Sequence, residues 1–222
     1  KITSSGSSFF TQFNAIVNLH SLPEGSFDTS HITSAAEYFL NSFNWQGQLL
    51  ALQENRYNFI GITHANYSFC YGFTAYGQLT SLPEGSFNIS NIEDTGFRFF
   101  AYFNYYGALT SLPEGSLDTS KIITTSGEFF FAFNCNGQLI SLPVGSFNTS
   151  NMRTADYSFF ANFNQDGELT ALPKNSFNTS NMLVRGEHLY FFSEFNKNGK
   201  IPKDTVLHTN TKNAFTNNID AE

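Results

Sequence analysis

Cationic side chains are scarce in this sequence: 11 Lys and Arg stand against 18 Asp and Glu, a formal net charge of -7. Four of the lysines gather at 197, 200, 203 and 212. Most of the chain therefore lacks the basic stripe that tracks a phosphate backbone, and nucleic acid is a poor partner. No apolar run reaches the length of a signal peptide or a membrane span, which speaks against membrane insertion. The sequence contains no G-x-S-x-G elbow, no P-loop and no H-E-x-x-H. Its five histidines, His20, His31, His64, His188 and His208, each lack a second His or Cys at ligand spacing. An enzyme is improbable, and neither a metal nor another cofactor is expected. Tryptophan occurs once and methionine twice, whereas phenylalanine occurs 27 times. A generic core does not need that bias, but a duplicated sequence produces it readily.

Repetition is what fills the chain. Leu22, Leu52, Leu82, Leu112, Leu142 and Leu172 are each 30 residues apart, and all but Leu52 precede a proline. The same spacing carries the Phe43, Phe73, Phe103, Phe133 and Phe163 column and the Phe39, Phe69, Phe99, Phe129 and Phe159 column. A strict period without insertions means that each unit takes the same place in a stack, because a changed loop length would break contacts to both neighbours. The expected fold is an α/β repeat solenoid over residues 1–202, built of 30-residue units with partial ones at both ends. Seven coils at about 5 Å each give an elongated domain roughly 35 Å long.

One unit serves for all. In GQLTSLPEGSFNIS, from Gly77, the pair Leu79 and Leu82 predicts a short parallel strand at about 78–82. Pro83 has no N–H for a ladder and ends it. Gly85 supplies the turn that follows. In the second half Phe99, Phe100 and Phe103 fall at i, i+1 and i+4, which predicts a short helix from about 95 to 105. The column Gly47, Gly77, Gly107, Gly137 and Gly167 stands where a helix C-cap belongs, and Ser90 and its equivalents turn or cap the chain ahead of the helix. The coil thus reads strand, turn, helix, turn, with strands on one face and helices on the other.

The run LISLPVGSFNTSN at 139–151 resembles the leucine-rich repeats of bacterial surface proteins, the BspA-like kind. Leu139, Leu142, Phe147, the turn Asn148-Thr149-Ser150-Asn151, Met152 and the pair Phe159-Phe160 stand in that family's order, over about residues 2–201. Pro83-Glu84 departs from it, since the family places Asp and a third apolar residue after the second leucine. The resemblance implies a right-handed coil, secretion or cell-surface display, and adhesion to proteins or glycans.

At the termini and in the polar columns the sequence says less. Ile2 already occupies its repeat column, so the chain reads as excised from within a repeat array, with an open end able to self-associate. Residues 203–222 are polar and read as a C-terminal cap or linker. Cys70 and Cys135 fall in different columns two or more coils apart, too far for a disulfide. Glu24, Glu54, Glu84 and Glu114 form a column that Val144 and Lys174 interrupt, which reads as a solvated rim and not as a calcium ladder. Asn14, Asn44, Asn104, Asn134, Asn164 and Asn196 each follow a core Phe, where an inward amide satisfies backbone groups at the same turn of every coil.

Function is expected on the surface between the leucines. Gln48, Gln78, Gln138 and Glu168, with Thr80, Thr110, Thr170, Ser81, Ser111 and Ser141, are polar where the flanking columns are apolar. They are the candidate binding residues of a non-enzymatic, extracellular or cell-surface module for a protein or glycan ligand. A structural spacer or self-assembling appendage subunit is the alternative. Ice or crystal-surface binding is the weaker one, because Leu50 and Ile140 interrupt the Thr column.

Overall fold

The computed structural model describes residues 2–54, 56–173, 176–178, 181–184, 191–202 and 205. Five two-residue strands, β1 (His64–Ala65), β2 (Asp94–Thr95), β3 (Thr124–Thr125), β4 (Thr154–Ala155) and β5 (Leu183–Val184), form one parallel sheet in sequence order. His64 lies opposite Asp94, Asp94 opposite Thr124 and Thr124 opposite Thr154, so partners are 30 residues apart in sequence. Thr154 then faces Leu183, where the sequence spacing tightens. Parallel bridges Ser4–Ser34 and Ala35–Ala65 carry the pairing toward the N-terminus. Parallel neighbours that follow one another in sequence require the chain to return to its starting side after each strand. That arrangement fits a tandem-repeat solenoid. From β1 to β4 the first residue of each strand faces outward and the second is buried. Thr95 Oγ1 donates to Thr125 Oγ1 at 2.8 Å inside.

Two expectations about the unit are corrected. The strand belongs at 94–95 and not at 78–82. Residues 78–82 form no strand and are paired loosely with the next unit, by bonds such as Ala108 N–H to the Gly77 carbonyl at 3.4 Å and Thr110 N–H to the Thr80 carbonyl at 3.4 Å. No helix is found among the described residues. Over 98–102 alternate backbone N–H groups find the next unit: Arg98 donates to the Gly127 carbonyl at 3.1 Å, Phe100 to Phe129 at 3.0 Å and Tyr102 to Phe131 at 2.8 Å, while Phe103 and Tyr105 make only i to i-3 turns, to Phe100 and Tyr102 at 3.3 Å. Arg98, Tyr102 and Asn104 take left-handed φ values of 59°, 59° and 52°, which interrupts any helix. Such a conformation costs roughly 1–2 kcal/mol per non-glycine residue. Each inter-unit bond nets about 0.5–1.5 kcal/mol and each fully buried Phe about 1.5–3 kcal/mol, so the ladder and its aromatic burial together offset the strain.

Those aromatic rings build the core. Phe39, Phe69, Phe99, Phe129 and Phe159 stack face to face with centroids 5.2, 5.5, 5.4 and 5.1 Å apart. Phe103, Phe133, Phe163 and Phe195 do the same at 5.4, 5.2 and 5.1 Å. The third column braces them edge-on: Phe87 meets Phe73 at 82° and Phe147 meets Phe163 at 88°. Offset stacks with edge-to-face contacts are the geometries that the ring quadrupole favours. One residue type repeated in phase therefore satisfies both directions of packing, which accounts for the phenylalanine bias.

Turns close each unit. In Pro83-Glu84-Gly85-Ser86 the Ser86 N–H returns to the Pro83 carbonyl at 3.2 Å, with Gly85 at φ +73°. A type II turn needs a positive φ at its third residue, which glycine adopts freely. Further on, the carboxamide oxygen of Asn88 accepts the Ser90 N–H at 3.2 Å and its hydroxyl at 2.7 Å. Asp28, Asp118 and Asn148 repeat this side-chain turn.

The asparagine column runs buried through the stack. Asn104 Nδ2 donates to Asn134 Oδ1 at 2.8 Å, Asn134 to Asn164 at 2.9 Å and Asn164 to Asn196 at 2.8 Å. The Oδ1 atoms of Asn104, Asn134, Asn164 and Asn196 also accept the N–H five residues on, as from Leu109 to Asn104 and Leu139 to Asn134 at 3.1 Å, whereas Asn14 Oδ1 is buried without a partner. The glycine column serves this ladder and caps no helix: a Cβ on Gly107 would lie 2.2 Å from Asn104 Oδ1 and 2.6 Å from the Thr74 carbonyl of the preceding unit. Thr74 replaces the amide in one unit, and there Asn44 Nδ2 and Thr74 Oγ1 are buried without a hydrogen-bond partner.

Candidate binding surface

The polar residues between the leucines lie at the surface. Gln78, Gln138, Thr80, Thr110, Thr170, Ser81, Ser111 and Ser141 are exposed, while Gln48 and Glu168 are half-buried. Leu79, Leu109, Leu139 and Leu169 between them are completely buried. Leu79 and Leu82 go in while Thr80 and Ser81 between them both stay out, so the segment does not alternate as a strand does. Ser81, Ser111 and Ser141 stand in consecutive units, as do Thr80 and Thr110. Exposed Ile140 separates Thr110 from Thr170. The threonine hydroxyls turn toward the adjacent backbone, Thr110 Oγ1 to the Thr80 carbonyl at 3.5 Å and Thr170 Oγ1 to the Ile140 carbonyl at 3.3 Å. Glu168 accepts an ion pair from Lys200. The other candidate residues are neutral amides and hydroxyls, with Leu50 and Ile140 exposed among them.

A second polar row follows the outer residues of the sheet. His64 Nδ1 lies 3.1 Å from Asp94 Oδ2, and Thr124 Oγ1 donates to Asp94 Oδ1. The carboxylate thus sits between an imidazole and a hydroxyl, one oxygen to each. Among the described residues no group of three His, Cys, Asp or Glu is placed to hold a metal ion, and no helix is long and apolar enough to cross a membrane. Cys70 and Cys135 are both free thiols, buried in separate units. The polar segment 203–222 lies outside the described residues apart from Thr205.

Sequence reasoning missed a band of aromatic residues on the outer side of the phenylalanine ladder. Trp45 stacks on Tyr71 with centroids 5.9 Å apart and planes at 12°, and meets Tyr76 at 5.5 Å. Tyr71 contacts Tyr102 at 5.3 Å, and Tyr76 stacks on Tyr106 at 5.3 Å. Trp45, Tyr71 and Tyr102 are half-buried, whereas Tyr76 and Tyr106 are exposed. Burial raises the phenol pKa of Tyr71 and Tyr102. Beside the band Arg98 Nε holds Glu128 Oε2 at 2.7 Å, with its guanidinium 4.9 Å from the centre of the Phe97 ring. A signal was present in the sequence: these residues depart from their columns. The positions equivalent to Trp45 hold Ala15, Ala75, Tyr105, Cys135 and Gln165, and those equivalent to Tyr76 include Gln46, Asn136 and Asp166.

No family model, no curated protein and no solved structure matches this chain.

Proposed function

We propose that this chain is a non-enzymatic recognition module, secreted or displayed at a cell surface, which binds a protein or glycan along an extended face. The reading includes a right-handed solenoid of leucine-rich-repeat type over residues 1–202, the BspA-like resemblance being its source. The observation that supports it best is the polar face: Gln78, Thr80, Ser81, Thr110, Ser111 and Ser141 are exposed on backbone segments that are hydrogen-bonded from unit to unit. Short neutral side chains held at fixed spacing offer hydrogen bonds at little cost in ordering. Because the face carries few charges, binding there depends on shape and hydrogen bonds and weakens only modestly with salt.

The structural-spacer reading has an observation of its own. Ile16, at 78% exposure, stands with Ile2, Val17 and Phe13 among the exposed apolar residues of one unit, where a second copy or a further repeat would find apolar surface. A protein and glycan array screen separates the two. The variant Gln78→Lys, Thr80→Lys, Ser111→Lys should retain the fold and lose the partner found with the native chain. Unchanged affinity in that variant, or concentration-dependent assembly with no array hit, sinks recognition by this face.

A further inference from the structure

The aromatic band has no task in the stacking of units. Where Trp45 and Tyr71 stand in their units, others have Ala15 and Thr11, or Gln165 and Ala161, and the phenylalanine stacks continue past all of them. Its geometry is nevertheless built. Gly72, at φ +56°, lies against Trp45, and a Cβ there would come within 2.2 Å of the indole ring; the same column holds Gln12, Ser42, Tyr102, Ala132 and Asn162 in other units. Trp45 can thus settle against backbone only in this unit. The cleft alongside it, about 420 Å³ in volume, is lined by Gln12, Ala15, Ile16, Ser42, Trp45 and Tyr71. None of these side chains is ionisable near neutral pH. Ser42 donates its proton to Asn41 Oδ1 at 2.9 Å, which leaves its oxygen free to accept.

We propose that Trp45, Tyr71, Tyr76 and Tyr102, with Gln12 and Ser42 on the cleft wall, bind a chain of uncharged sugar units. A pyranose ring presents an apolar face of C–H bonds and a rim of hydroxyls. Aromatic side chains with an apolar body and a polar tip suit the first, and neutral amides and hydroxyls the second. A wholly apolar ligand leaves Gln12 and Ser42 unmatched when it covers them. An anionic one meets no cation on the cleft wall, since Arg98, 5.7 Å from the centre of the Tyr71 ring, is held by Glu128, and it meets a net charge of -7 overall. The volume lies in the range of small-molecule clefts, about 300–1,000 Å³. This site is separate from the polar face between the leucines and stands or falls without it.

Trp45 is the sole tryptophan, so intrinsic fluorescence reads this site alone. The probes are neutral hexasaccharides of β-1,4-glucose, β-1,3-glucose, β-1,4-N-acetylglucosamine, α-1,4-glucose and β-1,4-mannose, with a polyproline decapeptide as the protein arm. Saturable change in Trp45 emission with at least one sugar is expected. Tyr71→Asn, Tyr76→Gln and Trp45→Ala install what Asn41, Gln46 and Ala15 already provide in neighbouring units, so the fold is kept. Each should weaken binding about tenfold or more by calorimetry, as loss of an aromatic anchor does. The lysine variant of the polar face should bind the sugar unchanged, which distinguishes this site from that one. Silence toward every sugar, a response to polyproline alone, or full affinity in all three aromatic variants overturns the proposal.

Discussion

Thr74 interrupts the buried amide ladder, and Thr74→Asn restores it. In intact units each amide joins its own chain five residues on to the amide of the next unit. At the break Asn44 Nδ2 and Thr74 Oγ1 are both buried and unpartnered. A buried orphaned polar group costs about 1–3 kcal/mol, and a made neutral hydrogen bond nets about 0.5–1.5 kcal/mol. The new amide gives Asn44 an acceptor, removes the stranded hydroxyl and can take up the Leu79 N–H. Gly77 is the counterpart of Gly107 beside Asn104, and position 74 must turn to the left-handed φ that Asn104 and Asn134 take, which asparagine adopts more readily than threonine. The expected gain is about 2 kcal/mol, or a rise in Tm of roughly 4–8 °C for a chain of this size. Asn134→Thr makes the reverse change and should lose a comparable amount, since it breaks the bonds to Leu139 and Asn164. Urea unfolding followed by Trp45 fluorescence reads both variants, as a shift in midpoint at unchanged slope. If Thr74→Asn is neutral or harmful while Asn134→Thr is harmless, the amides are not a shared network and the reasoning fails.

Phe103→Ala, at a fully buried site, should cost about 3–5 kcal/mol, and Phe13→Ala, where the ring is 39% exposed, distinctly less; equal losses in chemical denaturation would contradict the stacked core. Burial pushes the Cys135 thiol up to about 12 from 9.0, and the Tyr105 phenol up to about 12 from 10.0. Groups held protonated in the fold contribute stability that is complete below their unfolded values and is lost as pH rises toward the folded ones. Tm should therefore fall between about pH 9 and 12, and less so in Cys135→Ser, Tyr105→Phe; an identical profile in that variant would remove the cause. Cys70, whose thiol is also raised by burial, and Cys135 should resist iodoacetamide near neutral pH until the chain is unfolded, as mass spectrometry would show.

The 30-residue register was legible because equivalent side chains pair and stack, and pairing of His64 with Asp94 or Phe99 with Phe129 needs no knowledge of the backbone between. The turn at Pro83-Glu84-Gly85-Ser86 was legible for a local reason, a glycine where φ must be positive. The helix was not. The spacing of Phe99, Phe100 and Phe103 reports which side chains are buried, but it does not say whether the N–H of Phe100 bonds within its own chain segment or to Phe129 in the next unit. Stacked copies supply carbonyls that a lone segment lacks, and that option is invisible in a pattern read one unit at a time. The two-residue strand Asp94–Thr95 is too short for an alternation to be seen. Gly107 looked like a helix cap because it follows the aromatic run, whereas its neighbour Asn104 is what excludes a side chain. For the site, Leu79 inside and Gln78 and Thr80 outside followed from polar residues standing beside apolar columns. The aromatic band did not, since Tyr71 and Tyr102 merged with a core rich in rings, and only their departure from the columns sets them apart.

Pulsed EPR distances between spin labels on exposed positions of one column test the stack of units most directly. With one label at Ser21→Cys and the other at Ser111→Cys, Ser141→Cys or Ala171→Cys, all exposed positions, the pairs span three, four and five units. Neighbouring parallel segments lie about 5 Å apart, so the distances should grow in equal steps of about 5 Å, near 15, 20 and 25 Å. Distances that stay constant, or that rise and then fall along the series, would show that units 30 residues apart are not stacked in order.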